Sequence, residues 1–205
     1  MLNLTRPVEF SKEENDHINS ILRIKDAKGN LLKGSEMWDK GDVATKGVKR
    51  HVNQHCLEKQ RCKCVYCETL LQKGENYIEH FAPKGLYRDF TFEPLNLTVS
   101  CGRCNSTSIK GERDTIKNKP IKTKYTDNEF VIVHPYMDNA DEHIVFDDDT
   151  RTTFAKDKCS EKGLTTIEFF QWDAIDARLK RLNESPYRLT DKDVIEMIRT
   201  ISTYK

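Results

Sequence analysis

The sequence has no run of about 18 consecutive apolar residues, the length a helical membrane span needs. The segment from Met1 to Ser20 mixes Arg6, Lys12, Glu13 and Glu14 with few apolar side chains, so the apolar core of a signal peptide is missing too. These two absences predict a protein that avoids membranes and stays in the cytoplasm. Internal repeats and low-complexity segments are also lacking. A strong net charge is absent: the sum is +1 over 205 residues. What the chain does have is charge of both signs, 33% of residues against 37% in the hydrophobic class, which fits a globular protein with a modest core. The charges are unevenly placed. Arg103 to Lys124 holds seven basic and two acidic residues, whereas Asp127 to Asp149 holds eight acidic residues and no Lys or Arg. The basic stretch can meet phosphates or serve as a solvated face.

Hydrophobic spacing gives a mixed α+β organisation. Ser11 and Glu14 form a capping box, and Ile18, Ile21 and Leu22 follow at helical spacing. A second helix is predicted from Val43 to Gln60, with Val48, Val52 and Cys56 on one face and Cys56 as a core residue. Trp38 anchors the loop between these helices. Phe130 to Val133 reads as a strand, and Ile144–Phe146 with Thr152–Phe154 as a hairpin. Ile167 to Leu182 reads as helical. Thr190 caps a last helix with Val194, Ile195, Met197, Ile198 and Ile201, either a core face or a docking face. The predicted division is a helical N-terminal extension over 1–60, a core over 61–125, and a hairpin with C-terminal helices over 126–205.

Seven cysteines in a reducing compartment argue for metal rather than disulfides. Cys64-Val-Tyr-Cys67 and Cys101-Gly-Arg-Cys104 are two CxxC knuckles, with 33 residues between Cys67 and Cys101. Four thiolates form the tetrahedral set that structural Zn²⁺ takes, with no position left open for catalysis. A redox pair sits alone at a helix start, and two pairs argue against that reading. Cys62 offers an alternative thiolate, but Cys64 gives the standard spacing to Cys67. Cys159 has no sequence partner and reads as structural.

Between the knuckles, Tyr77 to Phe81 reads as a strand ending in an acid–His dipeptide. A loop with Pro83, Gly85 and Pro94 follows, then a strand from Asn96 to Ser100 and a helix starting near Gly102 that carries Asn105. The order is knuckle, strand, loop, strand, knuckle, helix. With His80, Asn96 and Asn105 in that order, the chain resembles the HNH endonuclease superfamily and its zinc-clamped ββα-metal (His-Me finger) core. The stretches Cys64-Val-Tyr-Cys67-Glu68, Ile78-Glu-His-Phe-Ala-Pro-Lys84, Asn96-Leu97 with Ser100-Cys101 and Cys104-Asn105, and His134-Pro-Tyr-Met-Asp138 with His143-Ile-Val-Phe146 are similar to Septu-type, PtuB-like HNH nucleases, some of them associated with retrons. The resemblance spans roughly residues 50 to 155. One departure is that Ser106 to Ile109 intervene before Lys110, where the family often has Lys sooner, which weakens a phosphate-contact role for Lys110.

That resemblance implies metal-assisted hydrolysis of phosphodiester bonds. Glu79 and Asn105 offer hard oxygen ligands to a catalytic Mg²⁺ or Mn²⁺. His80 serves as general base, and Asn96 fixes the loop and the orientation of His80. Neighbouring strand residues point to opposite faces, so Glu79 and His80 need a twist to converge. The resemblance further implies a nucleic-acid substrate, DNA favoured ahead of RNA, an ABC- or SMC-like ATPase partner and a role in antiviral defence. The rival reading is a zinc-knuckle module that binds nucleic acid or protein without cutting. His134 and His143 are expected to be structural, and His17, His51 and His55 to lie on helices away from the chemistry.

Overall fold

The computed structural model describes residues 1–147 and 151–184. Helix α1 (Lys12–Leu22) begins at the expected capping box: the Glu14 N–H donates to the Ser11 hydroxyl, and the Ser11 N–H donates to the Glu14 carboxylate. Its buried face is Ile18 and Ile21. Helix α2 (Gly34–Trp38) buries Met37 and Trp38. Helix α3 (Val43–Lys59) starts where the Asp42 carboxylate accepts the Thr45 N–H, and it buries the expected row Val48, Val52 and Cys56.

Strands β1 (Asn76–His80) and β2 (Leu97–Cys101) pair antiparallel, with Asn76 opposite Cys101 and His80 opposite Leu97. Helix α3 packs on both strands, and β2 is buried along its whole length. One helical turn, α4 (Gly102–Asn105), follows directly. Each strand is offset by one residue from the sequence expectation. The Phe81 N–H still donates to the Asn96 carbonyl, but Asn96 closes a 3₁₀ turn (Pro94–Asn96), and there the ladder stops.

Beyond the core the strands are weaker than their composition suggests. Phe130 makes a single bridge to Ile116. The ladder ends there because side chains take the next donors: Val133 N–H goes to the Thr166 hydroxyl and His134 N–H to the Asp138 carboxylate. The expected hairpin reduces to one bridge between Phe146 and Phe154, flanked by backbone bonds from Asp147 to Thr153 and from Ala155 to Val145. Helices α5 (Ala140–His143), α6 (Glu161–Phe169) and α7 (Ile175–Glu184) complete the described chain. The predicted helix over Ile167–Leu182 is split, because Gln171 turns the chain at φ +51°. The Thr190-capped helix lies outside the described residues. One hydrophobic cluster runs from Met1 and Val8 through Val52, Phe81 and Val99 to Trp172. Among the described residues no helix is long and apolar enough to cross a membrane.

One close approach ties α2 to the loop between the strands. A Cβ on Gly34 would stand 2.1 Å from the Lys84 carbonyl oxygen and 2.6 Å from the Thr91 hydroxyl. Gly34→Ala is expected to force the two apart and cost about 3 kcal/mol, read from urea unfolding. A change below about 0.5 kcal/mol would show that the contact is looser than described.

Candidate metal centre and active site

The first knuckle is a tight turn. The Glu68 N–H donates to the Cys64 carbonyl, and the Cys64 N–H to the Thr69 carbonyl. In the second knuckle Cys101 caps α4 and Cys104 lies within it. The pairing of β1 with β2 brings the knuckles together: the four sulfurs of Cys64, Cys67, Cys101 and Cys104 all lie within 4.8 Å of one another. Cys67 Sγ and Cys101 Sγ are 3.7 Å apart. Tetrahedral Zn–S bonds of about 2.3 Å place sulfurs about 3.8 Å apart, so the cluster can hold an ion such as zinc. Hydrogen bonds from Cys104, Cys64 and Cys67 hold Cys101 far below the thiol range, while burial pushes Cys64 well above it. A central cation lets all four ionise together. Cys62 is buried but outside the cluster, in which Cys64 takes part. Cys56 is a core thiol that burial pushes up to about 12. Cys159 Sγ accepts the Val145 N–H.

At the end of β1, Glu79 and His80 diverge as strand alternation requires. His80 is 5% exposed. The edge of Trp38 packs against it, with ring centroids 4.5 Å apart and 86° between the planes. His80 Nε2 lies 3.1 Å from the Thr91 carbonyl oxygen. A carbonyl can only accept, so Nε2 carries the hydrogen and Nδ1 keeps its lone pair. Burial, with the positive charges of Lys84 and Lys110, holds the imidazole well below its ordinary range, and it is neutral near pH 7. The anchoring role expected of Trp38 therefore extends to positioning His80.

Glu79 faces elsewhere. Its Oε1 lies 2.5 Å from Lys110 Nζ and 3.4 Å from the Tyr66 hydroxyl. Burial pushes its carboxyl up against the pull of the Lys110 ammonium. Asn105 ends α4, partly exposed. Among the described residues no hydrogen bond joins the side chains of Glu79, His80 and Asn105. A divalent ion on Glu79 Oε1 would meet the ammonium already there. As arranged, these residues do not form a ready divalent-ion cage, and among the described residues the four cysteines are the one His, Cys or carboxylate cluster placed to hold a metal.

Asn96 is fully buried and pins the loop after His80 from both ends. Its amide donates to the carbonyls of Ala82 and Phe90, and its oxygen accepts from the Ala82 N–H and the Tyr125 hydroxyl. This loop carries Thr91, so Asn96 sets the partner of His80. His134 supports the arrangement from behind. The Tyr136 N–H donates to its Nδ1, so its Nε2 donates to the Tyr125 hydroxyl, which passes its own hydrogen to Asn96. His143 Nδ1 meets the Ser160 hydroxyl. His17, His51 and His55 bond Thr45, Glu14 and the Arg6 carbonyl.

Burial pulls His134 down to about 3, below the ordinary value of about 6.5. Between those values the unfolded chain binds the extra proton. The stability that neutral His134 contributes is therefore complete above about pH 6.5 and is lost as pH falls towards 3. His134→Gln is expected to lower stability at pH 7 and to remove a slope of about 1.4 kcal/mol per pH unit. Urea midpoints of both proteins at pH 7, 6 and 5 measure this, and parallel slopes would contradict it.

Sequence reasoning missed Lys110, Tyr125 and Thr91 as parts of this site. The spacing through Ser106–Ile109 weakens a phosphate-contact role for Lys110, but the turn there returns its ammonium to Glu79 and the His80 carbonyl of β1. Tyr125 and Thr91 act through a hydroxyl and a backbone carbonyl, for which a one-dimensional pattern carries no mark.

No protein-family model and no solved structure matches the chain. Over 178 residues the chain is 30% identical to the Septu protein PtuB of Bacillus thuringiensis, a stretch that covers 86% of this chain and 56% of that protein. The likeness supports kinship with the Septu family, to a relative of which this chain spans about half the length.

Proposed function

We propose that this chain is an HNH-type nuclease of a Septu-like anti-phage defence system, hydrolysing nucleic-acid phosphodiester bonds with His80 as general base. The observation that carries the reading is the hydrogen bond from His80 Nε2 to the Thr91 carbonyl, which leaves a neutral Nδ1 at the end of β1 inside the four-cysteine clamp. Nδ1 accepts a proton from a water molecule, the hydroxide attacks phosphorus as the opposite P–O ester bond breaks, and the departing oxygen takes a proton from solvent water. The positive charges of Lys84 and Lys49 near the imidazole favour the phosphate and the charge that builds on it. Trp38, Thr91 and Asn96 hold the ring and the loop in place. The Mg²⁺ or Mn²⁺ implied by the resemblance enters no step here, because Lys110 stands on the carboxylate that would bind it. The cysteine cluster suits zinc, whose contribution when bound is to hold the two knuckles together. The resemblance to Septu-type nucleases implies an ATPase partner of the ABC or SMC-like kind.

The test is cleavage of duplex DNA, single-stranded DNA and tRNA in parallel by zinc-loaded protein, with and without the ATPase. Cleavage of one class supports the reading, with DNA the expected substrate. Salt-dependent binding without cleavage, partner present, favours a binding module instead.

A further inference from the structure

Both cysteine knuckles touch one stretch of the C-terminal chain. Tyr66, the third residue of the first CxxC, packs its ring on Phe170, with centroids 4.3 Å apart and 30° between the planes. Phe170 stacks in turn on Trp172 at 5.3 Å. Arg103, the third residue of the second CxxC, donates to the carbonyls of Phe170 and Gln171 at 3.1 and 3.3 Å and to the Asp176 carboxylate at 2.9 Å. The turn between α6 and α7 is thereby fastened to both knuckles.

Helix α7 brings Arg181 to the same place. Its Nη2 donates to the Trp172 carbonyl at 2.7 Å and to the Thr152 carbonyl at 3.0 Å, and the guanidinium lies 4.9 Å from the centroid of the Phe154 ring. Its Nε–H is buried and has no acceptor among the described residues. Nor does any described carboxylate pair with Arg181: Arg103 takes Asp176, and Lys156 takes Asp173. Of the negative groups acting on its charge, the Cys67 sulfur is the strongest, ahead of Asp173.

A guanidinium stays charged when it is taken out of water, so it needs an anion within reach. Four thiolates outweigh the dication they hold, so a zinc-loaded cluster is such an anion. We propose that Arg181 is the counter-cation of the metal-loaded cysteine cluster, its Nε–H donating to the Cys67 thiolate. The inference rests on the fit of the four cysteines to an ion such as zinc, and not on the nuclease reading. It makes Arg181 a positioning residue: an N–H on the sulfur offsets negative charge and holds the first knuckle closed on the ion.

The test is the zinc affinity of the full chain, read by competition with a chromophoric chelator. Arg181→Met is expected to weaken zinc binding about 10- to 100-fold, the loss seen when a hydrogen-bond partner behind a metal ligand is removed. Two controls separate the charge from the helix. Arg178→Met removes an exposed arginine of α7 and should bind zinc like the parent. Ala177→Gly loosens α7 with the guanidinium intact and should lose less than Arg181→Met. An Arg181→Met protein that binds zinc like the parent, or no more weakly than Ala177→Gly, overturns the proposal. If Arg181→Met does not fold, the parent decides. Loaded with ¹¹³Cd in place of zinc, it should show nuclear magnetic coupling between the metal and the Arg181 Nε–H proton across the hydrogen bond; absence of that coupling overturns the proposal. Neither readout uses cleavage, so an inactive chain that shows the coupling keeps this inference and sinks the nuclease reading, and an active chain without it does the reverse.

Discussion

His80→Ala is expected to lower cleavage by about 10²- to 10⁴-fold, the range over which a positioned general base contributes. The argument is geometric. A base needs an unprotonated nitrogen at working pH, held still and unable to turn away. His80 has Nε2 tied to Thr91, Trp38 against its ring, and a titration pushed well below the ordinary histidine range by burial and nearby lysines. For the same reason the acid limb of the rate profile should lie below the usual histidine midpoint. The substitution leaves a small cavity and an unpaired Thr91 carbonyl, so His80→Gln accompanies it, and zinc content and melting temperature are recorded for both. Loss of rate with zinc retained supports the base assignment. Rates equal to the parent across the substrate panel would sink it.

Cys104→Ser is expected to cost the protein its cooperative fold. Cys64 and Cys67 are separated from Cys101 and Cys104 by a stretch of chain that contains β1, the loop and β2, and among the described residues the sheet has these two strands. A two-stranded sheet is marginal by itself. Zinc bound by four thiolates contributes about 10–16 kcal/mol to folding in small zinc domains, as much as the whole stability of a typical domain, about 5–15 kcal/mol. Losing one ligand therefore removes a term comparable to the total. The readouts are zinc per chain and the amplitude of the thermal transition. Cys62→Ser is the control: it changes a buried thiol two residues from the cluster and should keep its zinc. A Cys104→Ser protein that melts like the parent with a full zinc complement would contradict the clamp.

The parts of this fold visible in the sequence were those governed by short-range rules. The capping box at Ser11, the α3 face through Val48, Val52 and Cys56, and the two CxxC turns each follow from residues a few positions apart. Elements that depend on competition for backbone donors were harder to read. Phe130 to Val133 has strand composition, but the Thr166 hydroxyl and the Asp138 carboxylate take the N–H groups a ladder needs. Within the site, Asn96 by itself reads as a turn residue; only the family resemblance pointed to it as the residue that fixes the loop, where its amide bonds the carbonyls of Ala82 and Phe90. The network behind it was not legible, since the Tyr125 hydroxyl reaches it across 29 positions and the His134 ring reaches Tyr125 across a further 9. The Glu79–Lys110 pair likewise spans 31 positions, and only the turn after α4 places the ammonium on the carboxylate.

The proposed function is a division of labour: four sulfurs would hold β1, β2 and α4 together around zinc, and His80 would carry the chemistry. X-ray absorption at the zinc edge, recorded on the full chain alone and with nucleic acid, tests that division most directly. The account predicts four sulfur neighbours at about 2.3 Å, no nitrogen or oxygen ligand, and no change when nucleic acid is added. A light-atom ligand on the zinc, or a coordination shell altered by nucleic acid, would place the reacting groups on the metal and contradict it.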